Sequence, residues 1–247
     1  MVIAQNIIEK LNQMFPEELK EQWDTTEGLI SGDLNKNIMK VVVSLEFRDN
    51  IPPDADMLLL HHPPLFGPNK EVTNPFYKRS GIHDWVVYAI HSRIDKSGFM
   101  GEAIAEKILS KYKYVLEKRL DDGTVIISLD KQVEINSLVN AIKVGLDLKT
   151  VNAIIKKRNI KRIAVHGGEA YQKHHISDAA KENVDLYLGG DMTHHLAEGA
   201  HSFDMSFIDI SHCSEQEGME KLAEALKEQF PGITFEYIKQ NMLWTIE

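Results

Sequence analysis

The sequence predicts an α/β protein made of two α/β lobes with mixed sheets. Short apolar segments rich in β-branched residues alternate with amphipathic helical segments along almost the whole chain. This alternation is typical of largely parallel or mixed sheets that are covered by helices. With 247 residues, the chain is long enough to bury a core in one large domain or in two small lobes.

The first half of the chain opens with a helix. Isoleucine and leucine recur at spacings of three and four between polar residues, which predicts a helix that ends before Pro16. A short helical turn, four strands and two helices follow, and composition and periodicity place them, in chain order, at 17–23, 38–47, 57–60, 85–90, 101–112, 124–129 and 133–146.

The second half repeats this style. Four strands are predicted at 162–166, 185–188, 205–210 and 233–238, and helices at 178–182, shortly after Asp191, and at 215–230. The polar stretch 149–162 separates the two halves. We therefore expect a first lobe at 1–130, a helix and polar connection at 131–161, and a second α/β segment at 162–247.

Composition excludes several classes of protein. The single cysteine, Cys213, excludes an internal disulfide and a cysteine-rich zinc module. The net charge of −9 argues against wholesale binding of nucleic acid. The longest apolar run, 85–90, is far too short to span a membrane, and the first residues do not have the pattern of a signal peptide. We expect a cytoplasmic protein with no membrane partner.

Histidine is the most informative residue type in the chain. Seven of the 11 histidines fall between residues 166 and 212, and three adjacent pairs occur: His61–His62, His174–His175 and His194–His195. Because imidazole is the commonest metal ligand among side chains, a metal site is the first hypothesis to consider.

Four predicted strands end in residues that can bind a metal, and in open α/β sheets sites form beyond the carboxyl ends of strands. Imidazole together with carboxylate favours Zn, Mn, Fe, Co or Ni over Ca. Neighbouring residues of an extended segment point to opposite sides, but Pro63–Pro64 could turn the chain so that each ring serves a different ion. The four sets are His61 and His62; His91 and Asp95; Asp191, His194 and His195; and Asp209, His212 and Glu215.

Simpler interpretations compete with the metal hypothesis. An adjacent histidine pair is more often exposed, or hydrogen-bonded at the edge of a core, than bound to a metal. His174–His175 follows a glycine-containing turn, which favours a solvated loop. The coincidence of histidine and acidic residues at several strand ends shifts the balance toward a metal site.

Other chemistries find little support in the sequence. The basic stretch KKRNIKR, Lys156–Arg162, lacks the aromatic residues on which bases stack, so a solvated connection is favoured there. The glycine turns at 166–168 and 189–191 could let a ligand approach the backbone, but the chain contains no P-loop motif and no G-x-S-x-G elbow. Covalent nucleophilic catalysis is therefore disfavoured.

Taken together, the motifs resemble the NGG-interacting factor three (NIF-three-like) family, many members of which carry the name GTP cyclohydrolase I type 2. The resemblance covers nearly the whole chain, and its most specific part is the histidine–proline motif. Five segments carry it in the family's order: WDTTEGLISGD (Trp23–Asp33), MLLLHHPPLFGP (Met57–Pro68), YAIHSRID (Tyr88–Asp95), LYLGGDMTHH (Leu186–His195) and ISHCSEQEGMEKLAEAL (Ile210–Leu226).

The resemblance implies a NIF-three-like fold with a dinuclear site for two divalent ions (Zn, Fe, Mn, Co or Ni) in the cleft between the lobes. Asp95 and Glu215 would be the bridging carboxylates. His61, His62 and His212 would be the terminal ligands.

Three further residues would lie around these ligands or at the substrate. They are His91, Asp191 and His194, and groups in such positions orient metal-bound histidines and tune the bound water.

The chain departs from the family pattern in two places. Three steps separate His212 from Glu215 where the family has four; this spacing still puts both residues on one helical face, but it makes Glu217 a rival ligand. Ser211 stands where the family has glycine, and GGD replaces the usual TGe. The chain is also too short to hold the inserted middle domain of longer members. It resembles the compact form, for which we expect the family's ring-like homohexamer.

The leading functional expectation is a metal-dependent hydrolase-like protein in which a metal-bound hydroxide attacks a nucleotide-like substrate. The family name implies hydrolytic opening of the guanine imidazole ring of GTP, which the residues alone do not demand. The alternative is a non-enzymatic, metal-stabilised oligomeric scaffold that binds a partner protein or DNA. The negative net charge makes DNA binding a less favoured hypothesis than the enzyme.

Overall fold

The computed structural model of the protein describes residues 1–67, 69–79, 84–170 and 173–241. Within them the chain forms two compact units: unit 1 comprises residues 1–94 and 219–241, and unit 2 comprises residues 95–218. Each unit is built on a mixed sheet with helices, so the predicted α/β class is confirmed. None of the described helices is long and apolar enough to cross a membrane.

The described residues form eight α-helices and two short 3₁₀ helices. The 3₁₀ helices are Glu17–Leu19 and His212–Glu215. The α-helices are α1 (Ala4–Met14), α2 (Pro75–Arg79), α3 (Ser92–Lys96), α4 (Phe99–Ile108), α5 (Ile135–Gly145), α6 (Lys173–Lys181), α7 (His194–Ala200) and α8 (Gln216–Gln229).

Thirteen strands complete the described secondary structure. They are β1 (Gly28–Ser31), β2 (Lys40–Ser44), β3 (Met57–Leu60), β4 (Leu65–Phe66), β5 (Glu71–Val72), β6 (Val86–Ala89), β7 (Tyr114–Arg119), β8 (Val125–Glu134), β9 (Asn152–Ile154), β10 (Asn159–Glu169), β11 (Leu186–Gly190), β12 (Ser206–Asp209) and β13 (Thr234–Ile238).

Unit 1 is organised around a five-stranded sheet in the order β1-β6-β3-β2-β13. Strands β6, β3, β2 and β13 are parallel, and β1 runs antiparallel to β6. All four residues of β3 and of β6 are buried, as the continuous apolar runs of these segments predict. The carboxyl ends of β2, β3 and β6 therefore lie at one edge of the sheet.

Unit 2 is organised around a six-stranded sheet in the order β7-β8-β10-β11-β12-β9. Its centre, β10-β11-β12, is parallel, and antiparallel strands flank it on both sides. Both faces of this centre are buried: Ile163 and Val165 belong to one apolar cluster, and Ala164 between them belongs to another. The carboxyl ends of β10, β11 and β12 again meet at one edge.

The observed division of the chain differs from the expected one. The predicted boundary at 131–161 lies inside unit 2, where the polar stretch contains β9 and leads into β10. The chain instead passes from unit 1 to unit 2 between Ile94 and Asp95 and returns between Gly218 and Met219. The last strand, β13, pairs with β2 and so belongs to the first sheet.

Candidate metal centre

His61 and His62 follow β3 at the carboxyl edge of the unit 1 sheet, as predicted. The chain turns immediately after the strand: the backbone N–H groups of both histidines donate to the carbonyl of Leu45, at 3.2 and 2.9 Å. The two rings consequently lie together, with their centroids 4.6 Å apart, rather than on opposite faces. This turn brings both imidazoles to one site.

His91 joins this pair because β6 lies next to β3 and runs parallel to it. Its ring centroid is 5.1 Å from that of His61 and 5.5 Å from that of His62. Each of the three rings offers a nitrogen within 4.8 Å of those of the other two. The resemblance placed His91 beside the ligands, whereas the structure includes it in a set of three imidazoles that could hold an ion.

A contact at Nδ1 orients each of these three rings. The Nδ1–H of His61 donates to the Ile90 carbonyl at 3.0 Å, and that of His91 donates to a carboxylate oxygen of Asp24 at 2.9 Å. His62 Nδ1 lies 3.4 Å from a Glu46 oxygen. A carbonyl or carboxylate can only accept a hydrogen bond, so the bonds of His61 and His91 place the proton on Nδ1 and the ligating lone pair on Nε2 in these two rings.

Asp24 is the acceptor that sequence reasoning missed. Burial, the largest single influence, raises the pKa of this carboxyl, but the hydrogen bond and charge of His91 together lower it well below its usual range. Asp24 also accepts from the backbone N–H of Ser92 at 3.2 Å. It lies 67 residues before His91 in the chain, and only its position in the WDTTEGL segment could have drawn attention to it.

A buried ionic network holds the segment that follows His91. Arg93 is fully buried, and its guanidinium forms an ion pair with Glu27. It also donates to Tyr88 Oη at 2.6 Å and to the Asn12 side chain at 2.8 Å. Because a buried guanidinium needs several partners to offset its desolvation, these bonds fix the backbone beside His91.

Unit 2 presents a second ligand set at the carboxyl edge of its parallel strands. His212 follows β12 and Asp191 follows β11, and His212 Nδ1 lies 2.5 Å from an Asp191 oxygen. His212 Nε2 lies 3.2 Å from an oxygen of Glu215. The 3₁₀ helix 212–215 explains the unusual spacing, because residues i and i+3 eclipse each other in a helix of three residues per turn.

The electrostatics of this set favour a positive charge. Burial lowers the pKa of His212, but the charge of Glu215 and the hydrogen bonds with Asp191 and Glu215 outweigh it and raise the pKa to about 11. In the ion-free chain, an imidazolium therefore sits between two carboxylates. Divalent ions fit the same donor set.

Two glycines make room for candidate ligand residues, Gly168 for Glu215 and Gly190 for His212, and their role was not predicted. A Cβ atom on Gly168, whose φ is +63°, would overlap the Glu215 carboxylate. A Cβ on Gly190 would come within 2.7 Å of the His212 backbone nitrogen. The glycine turns thus admit side chains and backbone of the protein itself.

The remaining predicted residues take different positions. Asp95 lies on α3 and, within unit 2, offers a carboxylate oxygen within 4.8 Å of one from Glu215. The rival Glu217 forms an ion pair with Lys107 at 3.0 Å, which favours Glu215 as the ligand. His194 begins α7, where its side chain is 82% exposed and lies 3.8 Å from Glu198.

The basic stretch 156–162 is occupied by contacts within unit 2. The Nζ atom of Lys156 donates to backbone carbonyls, and Lys157 pairs with Asp185. Arg162 pairs with Glu117. These contacts do not favour a nucleic-acid-binding surface.

Comparison with known proteins gives concordant results. The sequence profile of the family described as Duf34/NIF3 (NGG1p interacting factor 3) matches residues 2–242. A Clostridium perfringens protein named GTP cyclohydrolase 1 type 2 homolog is 27% identical over 241 residues, which is 91% of each chain.

Solved structures share the fold. A Bacillus cereus protein described as related to NIF3 superposes with a TM-score of 0.83 at 16% identity, covering 100% of this chain and 99% of the other. A hypothetical protein from Staphylococcus aureus superposes with a TM-score of 0.85 at 20% identity, covering 99% of both chains.

Proposed function

The chain belongs to the Duf34/NIF3 family, and from this membership and from the ligand sets of its two units we propose that it is a metal-dependent hydrolase. The proposed site holds two divalent ions and takes His61, His62, Asp95, His212 and Glu215 as ligands. His91 and Asp191 support the site, and the structure makes His91 a ligand candidate in its own right.

The observation that carries this proposal is the set of three histidines in unit 1. Their nitrogens lie within 4.8 Å of one another, and the contacts at Nδ1 direct proton and lone pair as a metal ligand requires. A hydrogen-bonded core edge would not need three clustered imidazoles, two of them held in the same tautomer. The arrangement therefore supports metal binding over the simpler interpretation.

The carboxylates of unit 2 offer negative charge and bridging oxygen atoms, which imidazole rings do not provide. Asp95 and Glu215 offer oxygens close enough to serve the same ion, and a carboxylate can bridge two ions. Asp191 holds the imidazole of His212 through Nδ1, as Asp24 holds that of His91. Imidazole and carboxylate together suit Zn, Fe, Mn, Co or Ni.

Two bound ions would supply an activated water and would stabilise the negative charge that develops on the substrate. The contribution of the protein is to keep the ligands in place before the substrate arrives. Asp24, Asp191 and the Ile90 carbonyl do this by restraining the rotation of the rings.

For the substrate we propose a nucleotide. Relatives such as the Clostridium perfringens protein are named GTP cyclohydrolase 1 type 2 homologs, and that name implies hydrolytic opening of the guanine imidazole ring. The chemistry of an activated water and two ions also suits phosphoester hydrolysis, so both reactions belong in the test.

The test is hydrolysis by the metal-loaded protein of GTP, ATP and a chromogenic phosphomonoester, followed by chromatography of the products. We expect turnover of at least one substrate, which Glu215→Gln lowers by about 100-fold or more because it removes a ligand charge. Glu217→Gln is the matched control, since Glu217 pairs with Lys107, and should retain activity. A protein that binds two ions but turns over none of these substrates would favour the metal-stabilised scaffold.

The proposal includes a homohexamer, as the family resemblance implies. Strand β7 lies at the edge of the unit 2 sheet, and its Val115 and Leu116 are exposed. Exposed apolar side chains on an edge strand are suited to pairing with another chain.

A further inference from the structure

Unit 2 contains a second cluster of ligand-type side chains that shares no residue with the proposed dinuclear site. Asp122 lies in the turn between β7 and β8, His166 lies in β10, and His175 lies in α6. Each offers one ligand atom within 4.8 Å of the other two. Ligand atoms around tetrahedral zinc are about 3.4 Å apart, so small side-chain rotations would bring these three into range.

The contact between Asp122 and His175 fixes the tautomer of that histidine. His175 Nδ1 lies 2.6 Å from an oxygen of Asp122, and the same carboxylate accepts from the backbone N–H of Thr124 at 2.9 Å. Burial raises the pKa of Asp122, but the hydrogen bond from His175 and its other partners lower it to about 2. The carboxylate is thus ionised and can only accept, so in the ion-free chain the proton between these two atoms is on His175 Nδ1, and a bound ion would take the place of that proton.

The Thr124 hydroxyl occupies one ring nitrogen of His166. Thr124 Oγ1 lies 2.9 Å from His166 Nδ1. The other ring nitrogen, Nε2, is therefore the one that His166 can offer to an ion.

The surroundings of the cluster favour a bound cation over a proton. His166 is 6% exposed, and its burial, with a contribution from the nearby His175, lowers its pKa to about 4. The Asp122 and His175 side chains are 11% and 13% exposed. At neutral pH the site therefore combines a neutral buried imidazole, that of His166, with the ionised carboxylate of Asp122, and these are the states in which such groups bind metal.

We propose that Asp122, His166 and His175 form an additional, mononuclear site for a divalent transition ion such as Zn²⁺ or Co²⁺. Two histidines and one carboxylate are a known ligand set for such ions, with a remaining position for water. The ligands come from a turn, a strand and a helix, so a bound ion would link three elements of unit 2. The competing interpretation is a purely structural contact, in which His175 holds the turn at Asp122 and no ion binds.

The experiment uses the full-length chain with the substitutions His61→Ala and Glu215→Ala, which remove ligands of the dinuclear site. Titration with Co²⁺ is followed by visible absorption and by metal content after desalting. We expect this variant to retain about one ion per chain, and an added His175→Gln to weaken Co²⁺ binding by about 100-fold or more. Bound Co²⁺ should raise the melting temperature only when His175 is present.

The adjacent histidine provides a matched control. The ring of His174 lies against that of His175, with centroids 3.9 Å apart and planes tilted by 42°, but His174 is not one of the three proposed ligands. His174→Gln should therefore bind Co²⁺ like its parent. The side-chain amide introduced by His175→Gln can still donate to Asp122. This variant should therefore keep the turn anchored if the contact is purely structural.

Two results would overturn the inference. One is a parent variant that retains no Co²⁺ although it is folded. The other is equal Co²⁺ binding with and without His175→Gln. Because the parent already lacks two ligands of the dinuclear site, neither result depends on whether that site exists.

Discussion

Three candidate histidine ligands are each oriented by a single contact at Nδ1: the Ile90 carbonyl for His61, Asp24 for His91 and Asp191 for His212. The position of these histidines could be predicted from the sequence, because residues that follow buried parallel strands meet at one sheet edge. Asp24 could not, since its contact with His91 is created only by tertiary folding.

A single glycine, Gly168, also helps to position a candidate ligand. We predict that Gly168→Ala lowers the free energy of unfolding by about 1–3 kcal/mol, because alanine is strained at a φ of +63° and its Cβ would overlap the Glu215 carboxylate. It should also lower metal content by displacing that carboxylate. Urea denaturation and metal analysis measure the two effects.

Gly199→Ala is the control for this substitution. Gly199 lies inside α7, and a Cβ there would meet open space. Its stability should stay the same or rise by up to about 1 kcal/mol, as expected for alanine in a helix. Equal stability changes for the two variants would show that the contact between Gly168 and Glu215 is not tight.

At the scale of elements, the 3₁₀ helix at 212–215 is the feature that sequence periodicity resolved least well. The predicted helix 215–230 corresponds to α8, but the 3₁₀ turn that brings His212 and Glu215 together lies before the start of that predicted helix. The residue before it, Ser211, has φ 68° and ψ 145°, a region that favours glycine. This conformation explains why the resembling family has glycine at the position.

We predict that Ser211→Gly raises the free energy of unfolding by about 1 kcal/mol, because the relief of backbone strain exceeds the loss of the bond from Cys213 N to Ser211 Oγ. Ser202→Gly makes the same change at a residue whose φ is not positive, and should be slightly destabilising. Thermal unfolding of both variants measures the difference. A destabilised Ser211→Gly protein would contradict the prediction.

The sequence predicted no strand at β1, β4, β5, β7 or β9, and two of these, β7 and β9, share a physical cause. Strand β7 is a largely exposed edge strand that ends in charged residues, and β9 is a three-residue edge strand in the polar stretch. Neither buries a continuous apolar run, which is the signal that predicted β3 and β6. Pairing with a neighbour, rather than local sequence preference, makes such segments strands.

At the scale of the whole molecule, the division into units could not be predicted, because unit 1 is discontinuous in sequence. Strand β13 pairs with β2, although nearly 200 residues separate them in the chain. Local composition suggested a boundary at the polar stretch 149–162. That stretch is polar because it contributes an edge strand and ion pairs to unit 2.

The proposed homohexamer is also a property at this scale. We predict that light scattering gives a mass about six times the 28.1 kDa of the chain, and that Val115→Lys on β7 lowers it by adding charge to the apolar edge. Val144→Lys, at an exposed valine of α5, is the matched control and should leave the mass unchanged. A monomeric wild-type protein would contradict both expectations.

The most direct test of the central claim is the number of divalent ions per chain, measured by mass spectrometry in the His175→Gln protein purified without chelator or histidine tag. We predict about two ions per chain, and about one or fewer after either His61→Ala or Glu215→Ala, because each removes a ligand from the shared site. Glu217→Gln should still bind about two ions per chain. Less than about half an ion per chain after incubation with Zn, Mn, Fe, Co or Ni, or a number that neither ligand substitution changes, would contradict the dinuclear site.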